Sequence, residues 1–93
     1  MVNKNIILIR KKLDKLDNEF LKIIKKRTLL VDQVLKNKKF KKDIVDRKRI
    51  NIIIKNIKKK SKKKNIDHKI TNKIWKAMIQ SFIEYEYRNF KKK

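Results

Sequence analysis

The hydrophobic positions in the first third of the chain recur every three or four residues. This spacing places them on one face of a helix and is typical of a helix that packs against other helices. No glycine or proline interrupts the pattern between about Asn3 and Lys38, which predicts a rod of about 50 Å at 1.5 Å per residue. The pattern is carried by Ile6, Ile9, Leu13, Leu16, Phe20, Ile23, Leu30 and Val34.

Two shorter helices are predicted in the rest of the chain. Residues 38–43 (KKFKKD) form the first plausible loop, and Asp46 is placed to cap a second helix rich in isoleucine. The lysine run at residues 58–64 (KKKSKKK) puts like charges at helical spacing, so we expect this end of the helix to fray. Asp67 is the predicted cap of a third helix from about His68 to Asn89.

These elements predict an all-α fold with one long and two shorter helices in a single domain over residues 1–93. The sequence after residue 38 is too short to cover a 50 Å rod along its whole length. The sequence therefore predicts a homodimer, in which two long helices cover each other's apolar faces.

Composition excludes several kinds of chemistry. Lys and Arg number 31 against nine Asp and Glu, for a formal charge of +22. The chain has no cysteine, no glycine and one histidine, which excludes thiolate sites, glycine-rich phosphate loops and histidine-rich metal centres. We therefore expect no metal and no cofactor. The apolar run at residues 6–9 is too short for a signal segment or a membrane span, and we expect a soluble, cytoplasmic protein.

Some charged residues occupy positions where the helical pattern calls for apolar ones. Arg27 lies in the apolar seam of the first helix, and Lys38 follows eleven residues later, about 20° around and about 16 Å along the axis. Two such cations can converge on one anion. Arg10 is about 25 Å from Arg27 along the helix, so it reaches the same small ligand only from another subunit. Glu86 lies on the apolar stripe of the third helix. Arg27 and Glu86 can also simply neutralise each other.

Together these residues resemble a known family, the all-helical (AroQ-class) chorismate mutases. The segment IRKKLDKLDNEFLKIIKKRTLLVDQVLKNK is similar to the family's first helix, D-x-x-R-x-x-x-I-I to the start of its second, and IWKAMIQSFIEYEYRNF to its third. The likeness covers nearly the whole chain, in order. The residues in step with the family pattern are Arg10, Asp14, Leu16, Asp17, Leu21, Arg27, Lys38, Asp46, Arg49, Ile53 and Ile54.

The resemblance implies an intertwined dimer that rearranges chorismate to prephenate without a cofactor, in the biosynthesis of aromatic amino acids. It implies that Arg27 and Arg10 of the partner subunit bind the side-chain carboxylate of chorismate. Lys38 and Glu86 would approach the ether oxygen. The resemblance also assigns Arg49 to the ring carboxylate and Asp46 to the end of the ring that carries the hydroxyl.

Two positions depart from the family pattern and leave an alternative substrate open. The family usually has Glu directly after the arginine of its second helix, where this chain has Ile50. It often has Ser where this chain has Phe82, followed by Ile83. The isochorismate-pyruvate lyases, a related branch, are similar to this chain at these places. We expect all three residues to line the substrate site and favour the mutase, with the lyase as the alternative.

A second alternative is a non-enzymatic helical protein that binds nucleic acid. A charge of +22 predicts non-specific phosphate binding almost automatically. The basic residues form no single stripe, however, and 26 of them are Lys rather than Arg, which favours neither bidentate phosphate binding nor base recognition. We therefore expect any binding of nucleic acid to be non-specific.

Overall fold

A computed structural model describes residues 3–91 of the chain, and all of its regular elements are helical. Helix α1 spans Lys4–Lys36, α2 spans Arg47–Lys63 and α3 spans His68–Asn89, with a single 3₁₀ turn at Lys41–Asp43 between α1 and α2. The predicted all-α fold of one long and two shorter helices is confirmed.

None of the helices within residues 3–91 combines the length and the apolar character that crossing a membrane requires.

Helix α1 ends two residues earlier than predicted. The amide of Asn37 donates to the carbonyl of Val34 and the amide of Lys38 to that of Leu35, at 3.0 and 3.1 Å. These i to i+3 bonds tighten the last turn and lead the backbone off the helix axis. Lys38 therefore lies in the connection after α1 rather than on its final turn.

The chain divides into two compact regions, which we call the N-terminal region (Met1–Val31) and the C-terminal region (Asp32–Lys93). The described part of the N-terminal region is almost entirely α1, and none of residues 3–31 is buried. Its apolar stripe faces solvent, with Leu16 at 58% and Ile23 at 61% exposure. In a single chain this stripe gains little of the free energy that burial of apolar surface provides.

The C-terminal region contains its own packing. Helices α2 and α3 pack against each other, and Leu35 and Ile44 are buried at 8% and 3% exposure. Near the turn of the hairpin, the Ser61 hydroxyl donates to the Ile57 carbonyl and lies 2.7 Å from the Thr71 hydroxyl. Both hydroxyl residues are buried, so this hydrogen bond ties the end of α2 to the start of α3.

The expectation that the lysine run would fray is wrong, because α2 continues through it to Lys63. Asn65 adopts a left-handed conformation, with φ of 57°. Its amide donates to the Lys62 carbonyl at 3.2 Å and the Ile66 amide donates to the Ser61 carbonyl at 2.8 Å. This is the Schellman arrangement, which satisfies carbonyls at a helix end. Anchoring by the cap and by buried Ser61 outweighs lysine repulsion, which costs only tenths of a kcal/mol per pair, about 0.2–0.5.

Both predicted helix caps are confirmed. The Asp46 carboxylate accepts a hydrogen bond from the Arg49 amide at 3.1 Å and thereby caps α2. The Asp67 carboxylate accepts from the Lys69 amide at 2.9 Å at the start of α3. Each carboxylate satisfies an amide that has no partner within its helix and also stabilises the positive end of the helix dipole.

Candidate active site

An ion pair between Lys38 and Glu86 joins the connection after α1 to α3. The Lys38 ammonium nitrogen donates to a Glu86 carboxylate oxygen at 3.0 Å. The two side chains are 18% and 9% exposed, so both charges are largely withdrawn from water. The structure thus brings together two predicted site residues that are 48 positions apart in the sequence.

Lys38 is held by a second acceptor, the backbone carbonyl of Ile44, at 3.1 Å. Ile44 follows the 3₁₀ turn and is itself 3% exposed, so this carbonyl is a fixed point of the connection. Because two acceptors fix the ammonium group, it is preorganised rather than free to rotate on its four-carbon chain. Removal of either charge would leave the other buried and uncompensated, which typically costs about 3–5 kcal/mol.

The first turn of α2 carries two of the predicted binding residues. Asp46 is the N-cap and Arg49 lies three residues on, and both are exposed. The cap uses one carboxylate oxygen of Asp46 and the backbone amide of Arg49. The guanidinium of Arg49 is not used in this cap, so the helix start presents a cation to solvent beside a fixed carboxylate.

The departures from the family pattern lie where α2 faces α3. Ile50 and Ile83 line the same groove between the two helices, and Phe82, which precedes Ile83 on α3, is half-buried. The isoleucines that line the groove are half-buried and its lysines are exposed. Its lining is Ile50, Asn51, Ile54, Lys55, Lys58, His68, Lys76, Ile79, Gln80 and Ile83.

One polar contact next to Glu86 was not predicted from the sequence. The Tyr85 hydroxyl donates to an Asp32 carboxylate oxygen at 2.6 Å. That hydrogen bond is the main reason the pKa of Tyr85 is raised above 10.0, with burial and the Asp32 charge adding to it and Arg88 opposing it. The Tyr85 ring also meets Phe82 edge-on, with 6.3 Å between ring centroids.

The two predicted arginines of α1 lie in the N-terminal region. Arg10 is exposed and Arg27 is half-buried. They are 17 residues apart on one continuous helix, which corresponds to about 25 Å along the axis. One chain therefore does not apply both guanidinium groups to one small ligand, and their shared role stays a prediction.

The arrangement is suited to electrostatic catalysis. Within residues 3–91, no cluster of three or more His, Cys, Asp or Glu side chains is arranged to hold a metal ion. What the C-terminal region offers is a half-buried ammonium group fixed by two acceptors, with a carboxyl group beside it. A preorganised cation of this kind stabilises negative charge that develops on an oxygen during a reaction.

Comparison with known proteins identifies the family. Neither a curated protein nor a solved structure matches the chain significantly. The family described as chorismate mutase type II matches residues 9–87, a range that includes Arg10, Lys38 and Glu86. This match confirms the predicted activity, the rearrangement of chorismate to prephenate by an isomerase. The chain belongs to the chorismate mutase type II family.

Proposed function

We propose that the reaction takes place at a site centred on Lys38 and Glu86. The observation that carries this proposal is the 3.0 Å ion pair between them, in which the ammonium group is held by a second bond to the Ile44 carbonyl. The side chains of the pair are 18% and 9% exposed, and the pair joins the connection after α1 to α3. This pair marks the place where the chain can best apply charge to a substrate.

The rearrangement of chorismate breaks the ether C–O bond while a new C–C bond forms within the same molecule, so it needs neither nucleophile nor cofactor. Negative charge grows on the ether oxygen as the bond breaks. In the proposed site Lys38 donates to that oxygen, and loss of one such preorganised donor typically lowers the rate about 10²–10³-fold. Glu86 orients Lys38 in the free enzyme and, when protonated, donates to the same oxygen.

The two carboxylates of chorismate require cations at two further places. Arg49 is proposed to bind the ring carboxylate, with Asp46 at the hydroxyl end of the ring. Arg27 and Arg10 of the partner subunit are proposed to bind the side-chain carboxylate. Guanidinium groups bind carboxylates through two parallel hydrogen bonds, which suits them to holding the dianion in its compact, reactive conformer.

Apolar residues complete the proposed site. Ile50, Phe82 and Ile83 are half-buried, and Ile50 and Ile83 line the groove between α2 and α3. We propose that they contact the faces of the substrate ring and exclude water from the ether oxygen. Water exclusion strengthens the interaction between Lys38 and the developing charge.

We further propose that the active form is an intertwined homodimer. The support is the apolar stripe of the N-terminal region, where Leu13, Leu16, Ile23 and Leu30 are all more than half exposed. Burial of a leucine side chain stabilises an assembly by about 1.5–3 kcal/mol, and a two-fold symmetric dimer gains each such contact twice. A cytoplasmic location stays a prediction.

The test is an absorbance assay of the purified full chain on chorismate, with isochorismate in parallel. We expect conversion of chorismate to prephenate by the wild type, and a loss of at least about 10²-fold in kcat/KM for Arg27→Ala. Arg47→Ala is the matched control, because Arg47 is an exposed arginine outside the proposed site. We expect it to retain wild-type activity.

Three results would contradict the proposal. Equal activity of Arg27→Ala and Arg47→Ala would remove Arg27 from the site. Release of pyruvate from isochorismate, with chorismate nearly untouched, would replace the mutase with the lyase. Tight, salt-sensitive binding of DNA without turnover of either compound would favour the nucleic-acid alternative.

A further inference from the structure

Two polar contacts join the same short segment to consecutive residues of α3. Asp32 accepts from the Tyr85 hydroxyl at 2.6 Å, and Lys38 donates to Glu86 at 3.0 Å. Asp32 lies in the penultimate turn of α1 and Lys38 two residues past its end. The segment 32–38 therefore contacts α3 at two adjacent positions. It accepts a hydrogen bond from α3 at one position and donates one to α3 at the other.

Consecutive residues of an α-helix point in directions about 100° apart. The contact at Glu86 alone fixes one distance and does little to prevent rotation of this end of α3 about its axis. A second contact at Tyr85 restricts that rotation, because rolling α3 to move Glu86 would stretch the bond to Asp32. Both hydrogen bonds have a charged partner, and hydrogen bonds of this kind are stronger than neutral ones.

We propose that Tyr85 and Asp32 are positioning residues, whose hydrogen bond fixes the rotation of α3 that holds the Glu86 carboxyl against Lys38. Neither residue needs to touch the substrate for this role. The edge-on contact of Tyr85 with Phe82 extends the effect by one turn, to a residue proposed to contact the substrate ring. The inference rests on the proposed function of Lys38 and Glu86.

The kinetic constants distinguish a positioning role of Tyr85 and Asp32 from a role that only stabilises the fold. Lys38 and Glu86 act on charge that exists mainly in the transition state, so their misplacement lowers kcat. Binding of the carboxylates is assigned to arginines outside the segment 32–38, so KM should change little. A misplacement of 1 Å in a catalytic group can cost about 10² in rate.

The experiment compares Tyr85→Phe with Tyr87→Phe. Each substitution removes one hydroxyl and keeps the ring, but Tyr87 is 41% exposed and lies outside the site. We expect Tyr85→Phe to lower kcat on the order of 10-fold with less than about a twofold change in KM. Tyr87→Phe should match the wild type. Circular dichroism and urea titration are measured on the same samples, so that kcat is expressed per folded protein.

Variants at Asp32 provide a second measurement that does not depend on Tyr85. Asp32→Asn keeps an acceptor oxygen and should retain most of the wild-type kcat, whereas Asp32→Ala should lose as much as Tyr85→Phe. The double variant Tyr85→Phe/Asp32→Ala should be no slower than either single variant, because both remove the same interaction.

The outcomes separate the inference from the proposed site. If the wild type and Lys38→Ala rearrange chorismate at the same rate, the proposed site fails and the inference fails with it. If Lys38→Ala is slow but Tyr85→Phe equals Tyr87→Phe in kcat, the inference alone is overturned. A loss of kcat in Tyr85→Phe that disappears when expressed per folded protein also overturns it, because the role is then purely structural.

Discussion

The two regions of the chain differ in whether their apolar side chains are covered within one chain. In the C-terminal region, Leu35 and Ile44 are buried and the hydroxyls of Ser61 and Thr71 bond to each other. In the N-terminal region, residues 4–31 belong to one regular helix, and none of them is buried. The C-terminal region therefore has stabilising contacts of its own. The stability of the N-terminal helix depends on a surface that covers its apolar stripe, because helices gain most of their stability from packing.

The largest effect is expected from a substitution that disrupts the apolar stripe of α1. Leu16→Glu introduces a charge where the proposed dimer buries a leucine, and the symmetric interface loses that contact twice. A loss of about 3–6 kcal/mol corresponds to a rise in the dimer dissociation constant of about 10²–10⁴-fold. Sedimentation over a concentration series measures this constant. Asn18→Glu, the same change in charge at an exposed position off the stripe, should leave it unchanged.

The second effect tests whether the two regions cooperate across subunits. Arg10→Ala and Lys38→Ala are each expected to lower kcat/KM about 10²–10³-fold. Mixing equal amounts, with exchange of subunits, should restore about a quarter of the wild-type activity, because half of the dimers are mixed and each mixed dimer contains one intact site. Activity that stays at the level of the separate variants would show that Arg10 acts within its own chain or not at all.

A third, smaller effect concerns the internal contacts of the C-terminal region. Ser61→Ala removes the partner of the buried Thr71 hydroxyl, which should lower the free energy of unfolding by about 1–2 kcal/mol. Ser81→Ala is the control, because the exposed Ser81 makes the same bond to a carbonyl four residues earlier but has no second hydroxyl. We expect its effect to be below about 0.5 kcal/mol. Urea titration of both variants would distinguish them, and equal effects would mean that the buried hydroxyl pair adds nothing.

The smallest effect lies at Asp32, where the C-terminal region begins. In a Tyr87→Phe background Tyr85 is the only tyrosine, so its ionisation can be followed by ultraviolet absorbance. The bond to Asp32 raises the pKa of Tyr85 above 10.0, and Asp32→Asn should lower it, because the negative charge is gone.

The raised pKa of Tyr85 also determines the direction in which this contact makes the stability of the fold depend on pH. A folded-state pKa above the unfolded value favours the protonated phenol in the folded state, so this contribution is complete below about pH 10 and is lost as pH rises through the raised pKa. An unchanged titration in Asp32→Asn would show that the Asp32 charge does not act on Tyr85 in solution.

Periodicity was enough to predict the helices, because each apolar stripe reports directly which face of a helix needs to be buried. It also identified Glu86, since a carboxyl group on an apolar stripe breaks the pattern. Lys38 was supported by the resemblance, because one lysine among 26 does not stand out. Its contact with the Ile44 carbonyl depends on where α1 ends, which the pattern placed two residues too late.

The contact between Tyr85 and Asp32 could not be predicted in the same way. Tyr85 fits the apolar stripe of α3 through its ring, and Asp32 is one of several polar residues on α1, so neither breaks a pattern. Their pairing spans 53 positions and is decided by how the two segments pack. The lysine run shows the opposite error: local repulsion predicted fraying, but a cap at Asn65 and a buried hydroxyl at Ser61 outweigh it.

The exposed stripe of α1 also has a kinetic consequence, because it lies on a chain that carries a formal charge of +22. When the proposed dimer forms, two such chains repel each other before their apolar faces meet, and the repulsion is screened over about 10 Å at 0.1 M salt. Encounter of the monomers should therefore become faster as ionic strength rises, opposite to the trend for oppositely charged partners. The same charge keeps newly made chains apart while their stripes are uncovered, so it favours paired association over indiscriminate aggregation.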